Sequence, residues 1–244
     1  MFLNIGGKIP LSKLKFYQRF NNNVNDQTGV YGTTSSIIGY GLGLYTGSAN
    51  QSVSIIYKSD FIRINSTADF SFGNGTADFP FSVSFALRGD NLGVLSDTYY
   101  IKHLICNRGS TDVANKVWQV STSNDTTPRI NLTLFDQSSG GSKRYICDTV
   151  LSNSIVYHIV ISFHPITGVK FYINGALQTN TITTSGTYIA MENLSNNIRI
   201  GGASWWDGVT FLGHIDGLGI WNVGLSSEQA LAIYNKQASG LEIL

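Results

Sequence analysis

Short apolar runs rich in Val, Ile, Phe and Tyr recur along this chain between clusters of Gly, Asn and Ser, and helical spacing is absent until near its end. The runs are Leu14 to Phe20, Val53 to Tyr57, Phe61 to Ile64, Phe81 to Leu87, His103 to Cys106, Val117 to Val120, Ile130 to Phe135, Lys143 to Cys147, Ile155 to Phe163, Val169 to Ile173, Ile198 to Ile200 and Phe211 to Trp221. Many short strands with turn signals between them predict an all-β sandwich or barrel with antiparallel pairing, because βαβ units would need intervening helices. Two turns are legible in detail. His164-Pro165-Ile166-Thr167-Gly168 combines a proline that pre-sets φ with a glycine that permits positive φ. Ile173-Asn174-Gly175-Ala176 carries the Asn-Gly pair of a type I′ hairpin. Together they predict a three-strand meander over Ile155 to Gln178.

One helix is predicted, Ser227 to Lys236. Ser226 is placed as N-cap with Gln229 three residues on, a capping box, and Leu225 is placed to staple against Ala230. Ala230, Ile233 and Tyr234 then form one apolar stripe. So short a helix is marginal alone and must lean on the sheets. No repeat, linker or low-complexity block divides the chain, which gives an N-terminal arm at 1–13, one domain at 14–236 and a tail at 237–244.

With 244 residues, 42% of them hydrophobic, the chain can bury a sizeable core, yet only 13% are charged, about half the usual quarter. Ser, Thr, Asn, Gly and Tyr must supply the polar surface. A net charge of +1 gives no overall steering toward nucleic acid or anionic lipid. No apolar run approaches the roughly 18 residues of a membrane span, since His158 breaks the most apolar segment, so a soluble chain without membrane insertion is expected. The start, MFLNIGGKIPLSKLKF, lacks the apolar core of a signal peptide. Cys106 and Cys147 read as buried thiols behaving as small hydrophobes, or as a pair if their strands are neighbours.

An ordered series of motifs carries a resemblance. It runs through Phe20-Asn21-Asn22-Asn23-Val24-Asn25-Asp26-Gln27-Thr28-Gly29, Asp60-Phe61-Ile62-Arg63-Ile64 and Phe81-Ser82-Val83-Ser84-Phe85. It continues through Tyr157-His158-Ile159-Val160, Val169-Lys170-Phe171-Tyr172-Ile173-Asn174-Gly175 and Ile198-Arg199-Ile200-Gly201-Gly202. It ends in Phe211-Leu212-Gly213-His214-Ile215-Asp216, Ile220-Trp221-Asn222 and Leu225-Ser226. The set resembles the laminin G-like domains of the concanavalin A-like superfamily, especially bacterial and bacteriophage members. The resemblance implies a two-sheet antiparallel jelly-roll sandwich with one short C-terminal helix.

Within it the segment GHIDGLGIW departs from the family pattern by carrying Gly217 and Gly219. Strand alternation puts Asp216, Leu218 and Ile220 on one face and Ile215, Gly217, Gly219 and Trp221 on the other. Paired glycines in a strand mark a bulge or the close approach of something else. Either Trp221 or a neighbouring aromatic folds over the bare backbone, or Gly217, Gly219 and Trp221 meet a partner subunit.

Candidate chemistry is sparse. Relatives that hydrolyse glycosides need a pair of suitably spaced carboxylates, and the glutamates Glu192, Glu228 and Glu242 form no alternating strand array. His103, His158, His164 and His214 lie in no metal-binding motif, and nucleophile-elbow and phosphate-loop patterns are missing. The chain therefore reads as non-enzymatic and requires no cofactor. The resemblance implies one metal option, calcium at Asp26 and Asp216, since hard oxygen ligands suit that ion; the alternative is an Asx-turn at Asp26 and amide capping by Asp216. The candidate ligand platform is Trp205, Trp206 and Asp207, where two indoles would stack on sugar rings and the carboxylate would accept hydroxyl hydrogen bonds. The other reading is that one Trp plugs the sandwich end and the other meets a neighbouring chain.

Two settings fit. One is a bacteriophage virion protein, a capsid-decoration, fibre or tail-associated module whose partners are other virion proteins or itself, with glycan binding on a cell surface. The other is a bacterial extracellular carbohydrate-binding or adhesion domain. The apolar N-terminal arm, with Phe2, Leu3, Ile5, Ile9 and Leu11, suits docking on a neighbouring subunit or folding back on its own sandwich.

Overall fold

A computed structural model describes residues 7–21, 23–36, 39–41, 43–45, 52–57, 60–65, 68–92, 101–108, 115–123, 126–201 and 211–244. The strands are β1 (Leu14–Gln18), β2 (Thr33–Ser36), β3 (Gly39–Gly41), β4 (Ser52–Ile55), β5 (Phe61–Ile64), β6 (Phe81–Gly89), β7 (Ile101–Arg108), β8 (Lys116–Ser123), β9 (Arg129–Asp136), β10 (Gly141–Val150), β11 (Val156–His164), β12 (Gly168–Ile173), β13 (Ala176–Gln178), β14 (Asn180–Ser185), β15 (Ile198–Ile200) and β16 (Gly213–Trp221). One helix, α1 (Ser227–Ala238), follows. The first sheet runs β13-β12-β11-β6-β16-β4-β3, with β1 also pairing β16, and the second runs β14-β10-β9-β8-β7-β15-β5-β2. Every described ladder is antiparallel.

Alternation along these strands builds the core. On β9, Ile130, Leu132 and Leu134 point inward, and on β6, Phe81, Val83, Phe85 and Leu87 meet them from the other sheet. The aromatic centre is Phe81, stacked on Phe72 with ring centroids 4.4 Å apart and tilted against Trp118 at 5.4 Å. Trp118 is fully buried, and its indole N–H donates to the Phe70 carbonyl at 2.8 Å, which satisfies the one polar atom such burial would otherwise strand. Cys106 and Cys147 are both free and buried, as small hydrophobes would be.

The expected turns are present. Asn174 and Gly175 both have positive φ, 51° and 79°, and close the two-residue hairpin between β12 and β13. The helix forms with the expected capping box, Ser226 accepting from the Gln229 amide while the Gln229 side chain accepts from the Ser226 amide. Leu225 and Ala230 lie in one buried cluster on the outer face of the first sheet, with Tyr17, Val160, Tyr172, Trp221, Ile233 and Ile243. The helix runs two residues into the segment read as a tail, and Ile243 beyond it is buried. In the arm, residues 7–13 fold back: Ile9 packs on that same cluster and the Lys8 carbonyl accepts from Gln229 Nε2 at 3.2 Å.

Candidate functional site

The two outer faces of the sandwich differ, and that difference locates the site. The first sheet is roofed by α1 and the C-terminal residues. A bulge lies in β16, where Asp216 registers with Ala86 but Gly219 with Ser84, so three residues on one strand span two on the other. Gly217, at φ 58°, is the extra residue in the left-handed conformation that glycine adopts without strain. The bulge overturns the simple alternation expected for GHIDGLGIW. Ile215, Leu218 and Ile220 all enter the core, whereas Asp216 registers with outward-facing Ala86.

The same packing corrects the interface assigned to Gly217, Gly219 and Trp221. A Cβ on Gly219 would lie 2.4 Å from Trp221 Cη2, and one on Gly217 would lie 2.4 Å from Gln237 Nε2. Trp221 is fully buried. Its own ring and the helix occupy the space that the glycines leave, so a second chain finds no surface there.

The donor set does not fit calcium. Asp26 Oδ1 accepts from the amides of Tyr17 and Thr28, and Oδ2 accepts from the amides of Val30 and Tyr31 and from the Thr28 hydroxyl. Those N–H and O–H groups point at the oxygens a cation would take, as in an Asx-type loop anchor. Asp216 accepts from the Leu44 amide at 3.3 Å beside a cavity of about 10 Å³, also lined by Tyr17, Arg19, Tyr45 and Gln237. Burial raises the Asp216 carboxyl to about 7 against the pull of the Leu44 amide and Arg19. Among the described residues no three His, Cys, Asp or Glu side chains are grouped to hold a metal.

Two of the three glutamates have local roles. Glu228 accepts from Ser226 Oγ at 2.8 Å at the start of the helix, and Glu242 lies 3.6 Å from Arg19.

The second sheet carries a polar outer face over which no helix lies among the described residues. Because Ile62, Ile200, Val120, Leu132 and Tyr145 point inward, their neighbours point outward, and register aligns them in rows. One row crosses all eight strands: Thr34, Arg63, Arg199, Cys106, Gln119, Thr133, Arg144 and Thr183. A second holds His103, Ser121, Asn131, Ile146 and Thr181. Beside them Arg108 Nη1 donates to Gln119 Oε1 at 2.9 Å, and Arg108 and Lys116 lie over the Phe135 ring at 5.5 and 5.6 Å. Arg199 covers the Phe61 ring at 4.1 Å.

The floor of this face is enclosed and under-satisfied. Ser121 and Asn131 are 0% exposed and Thr133 6%. Ser121 Oγ, Thr133 Oγ1 and both Asn131 side-chain polar atoms lack a hydrogen-bond partner. Each such atom costs on the order of 1–3 kcal/mol when buried unpaired. Two neighbouring strands, β8 and β9, thus hold a concentrated set of groups that seek polar partners, ringed by the half-buried cations Arg63, Arg129, Arg144, Arg199 and Lys116.

Trp205, Trp206 and Asp207 lie outside the described residues, in the segment that follows β15 of this same sheet. The sequence reading missed Asn131, Ser121 and Thr133 altogether. Their signal was there, as polar residues alternating with Ile, Leu and Val in RINLTLF and VWQVSTS, but alternation marks any half-exposed strand. Only the cross-strand register gathers them.

A family model described as the concanavalin A-like lectin/glucanases superfamily matches residues 59–230. No curated protein matches the chain by sequence. Among solved structures, the binding domain of Paraclostridial Mosquitocidal Protein 1 is similar with a TM-score of 0.70 at 15% identity, covering 93% of this chain and 52% of that one. The ligand binding domain of botulinum neurotoxin serotype D in complex with N-acetylneuraminic acid gives 0.63 at 17%, covering 92% and 51%. Domain 4 of AbnA, a GH43 extracellular arabinanase from Geobacillus stearothermophilus, in complex with arabinotriose, gives 0.59 at 18%, covering 91% of this chain and 98% of the domain. The chain spans about half of each toxin chain and nearly all of the arabinanase domain. At these identities the likeness is one of fold.

Proposed function

We propose, from the premise that the chain belongs to the concanavalin A-like lectin/glucanases superfamily, that it is a non-catalytic glycan-binding module whose site is the outer face of the second sheet. The observation that carries this reading is the set of unpaired polar atoms of Ser121, Asn131 and Thr133 on adjacent strands. Sugars present alternating hydroxyl donors and acceptors, the partners such a floor needs. The arabinotriose and N-acetylneuraminic acid complexes of similarly folded domains support the ligand class. In this reading Trp205, Trp206 and Asp207 are the candidate stacking and hydroxyl-accepting residues.

Glycan-array binding of the full chain tests it. Asn131→Leu removes two unpaired polar atoms, so it should leave stability unchanged or raised while abolishing binding. Trp206→Ala should weaken binding about tenfold. Unchanged binding in both variants would sink the reading.

The setting we favour is a bacteriophage virion, with the bacterial cell surface as the alternative. Supporting it are the low charge content, 13%, and a surface of Ser, Thr, Asn and Tyr. Self-association, which a virion module would use, fits the free edge of β14. Asn180-Thr181-Ile182-Thr183-Thr184-Ser185 pairs with β10 through six unbroken positions and contains neither charge nor proline, the usual guards of an edge strand. Neighbouring genes decide the setting: capsid and tail genes favour the virion, and secreted glycosidase genes the cell surface.

A further inference from the structure

The near-neutral total charge conceals a segregation. Five of the seven arginines in the sequence, Arg63, Arg108, Arg129, Arg144 and Arg199, fall on outward positions of the second sheet. Lys116 joins them. Against these cations the described strands of this sheet set one outward carboxylate, Asp148, which accepts from Thr181 Oγ1 at 3.1 Å. A ligand on this face therefore meets the guanidinium groups of Arg63, Arg129 and Arg199 at its rim and neutral hydrogen-bonding groups at its floor.

We infer that this face selects a carboxylated polysaccharide, an inference that rests on the glycan-binding reading. Guanidinium groups pair with carboxylates through two parallel hydrogen bonds, which a neutral sugar cannot offer. Arg199 and Arg144 share a row four strands apart, with Cys106, Gln119 and Thr133 between them. At about 4.8 Å per strand that is roughly 19 Å, the reach of several linked sugars rather than one. Gln119, Thr133, Asn131 and Ser121 lie within that span to meet hydroxyls.

Nucleic acid, the other polyanion, finds less here. Its single strands bind by stacking bases on aromatic rings, and among the described residues the rings on this face, Phe61 and Phe135, are covered by Arg199 at 4.1 Å and by Arg108 at 5.5 Å; whether Trp205 and Trp206 stack on bases instead of sugars is decided by poly(dT) below.

Calorimetric titration of the full chain tests the inference with oligogalacturonides of graded length, their methyl esters, chondroitin sulfate fragments, neutral arabino-oligosaccharides and poly(dT). The expected result is that the acids bind about tenfold or more tighter than their methyl esters, with affinity rising with length and falling with salt. Arg63→Gln combined with Arg199→Gln should lose about tenfold of that affinity at an unchanged melting midpoint, while Lys170→Gln changes nothing. The ester comparison needs no variant, so a misfolded double mutant leaves the test intact. Esters bound as tightly as acids overturn the acidic preference and leave glycan binding standing; binding to no sugar overturns both. Sulfated fragments or poly(dT) binding as tightly as the carboxylated chains overturn the carboxylate assignment.

Discussion

Gln237 Oε1 lies 2.7 Å from His158 Nε2, while the same side chain donates from Nε2 to the Gly217 carbonyl at 2.9 Å. An amide oxygen only accepts, so the His158 proton sits on Nε2. One helix residue thus holds β11, the β16 bulge and α1 together on the outer face of the first sheet. Gln237→Leu strands a buried imidazole N–H and a bulge carbonyl, and should cost about 2–4 kcal/mol in urea unfolding. A loss under about 1 kcal/mol would mean that water reaches both groups.

His158 is held neutral by burial, which lowers its pKa to about 4 against the accepting pull of Gln237. Its unfolded value is near 6.5, so between about 6.5 and 4 the unfolded chain binds the extra proton. The His158 contribution is complete above that window and is lost as pH falls through it, by about 3 kcal/mol in all. His158→Gln should flatten this part of the pH profile of the unfolding free energy.

Asp216 works in the opposite sense. Burial raises its folded pKa to about 7 from 3.8, so its contribution is complete below 3.8 and is lost as pH rises toward 7. The two groups oppose each other over most of the window, and wild-type stability should change little from pH 4 to 6.5. Asp216→Asn keeps an acceptor for the Leu44 amide without the charge. It should raise stability at pH 8 by on the order of 2–4 kcal/mol and expose the acid slope of His158. A variant no more stable than wild type at pH 8 would show that Asp216 is solvated.

How much of this was legible in the sequence depends on whether the signal was local. The β11–β13 meander and the capped helix follow from Asn174-Gly175, Gly168 and Ser226-Gln229, each of which acts within a few residues. β2, β3 and β14 escaped because Thr33–Ser36, Gly39–Gly41 and Asn180–Ser185 contain little apolar alternation, being edge or near-edge strands with polar residues on both faces. The glycines Gly217 and Gly219 announced a bulge or a close approach, and both occurred. Which side chain approached, Trp221 or Gln237 or another chain, was a tertiary fact. The basic face was invisible for the same reason: Arg63 and Arg199 are 136 positions apart in the sequence numbering and adjacent only through the β5–β15 register.

Gly219 makes the packing on the first sheet testable. Its φ is not left-handed, so the constraint is space alone, the Trp221 ring 2.4 Å from any Cβ. Trp221 is fully buried and packs with Tyr17, Val160 and Ile233, which leaves it little room to yield. Gly219→Val should destabilise by about 2–3 kcal/mol through overpacking, read as a lower melting midpoint. The paired variant Gly219→Val with Trp221→Leu should recover part of that loss, since the smaller side chain vacates the position. No recovery would place the cost in the strand backbone.

The free edge of β14 yields the last prediction. Its outward backbone amides and carbonyls can pair only with another strand or with water, and its six residues carry no charge to repel a second copy. Antiparallel pairing of two such edges would extend the second sheet across a two-fold axis and align two basic faces on one continuous surface. Sedimentation of the full chain at rising concentration should reveal twice the 26.6 kDa monomer mass. Ile182, 55% exposed on that edge, is the position to charge: Ile182→Lys places two ammonium groups across the junction and should return the chain to monomer with its melting midpoint preserved. A wild-type chain that stays monomeric at every concentration, or a dimer indifferent to Ile182→Lys, removes β14 as the connector; whether acidic-glycan binding survives in the monomer then tells if one basic face suffices.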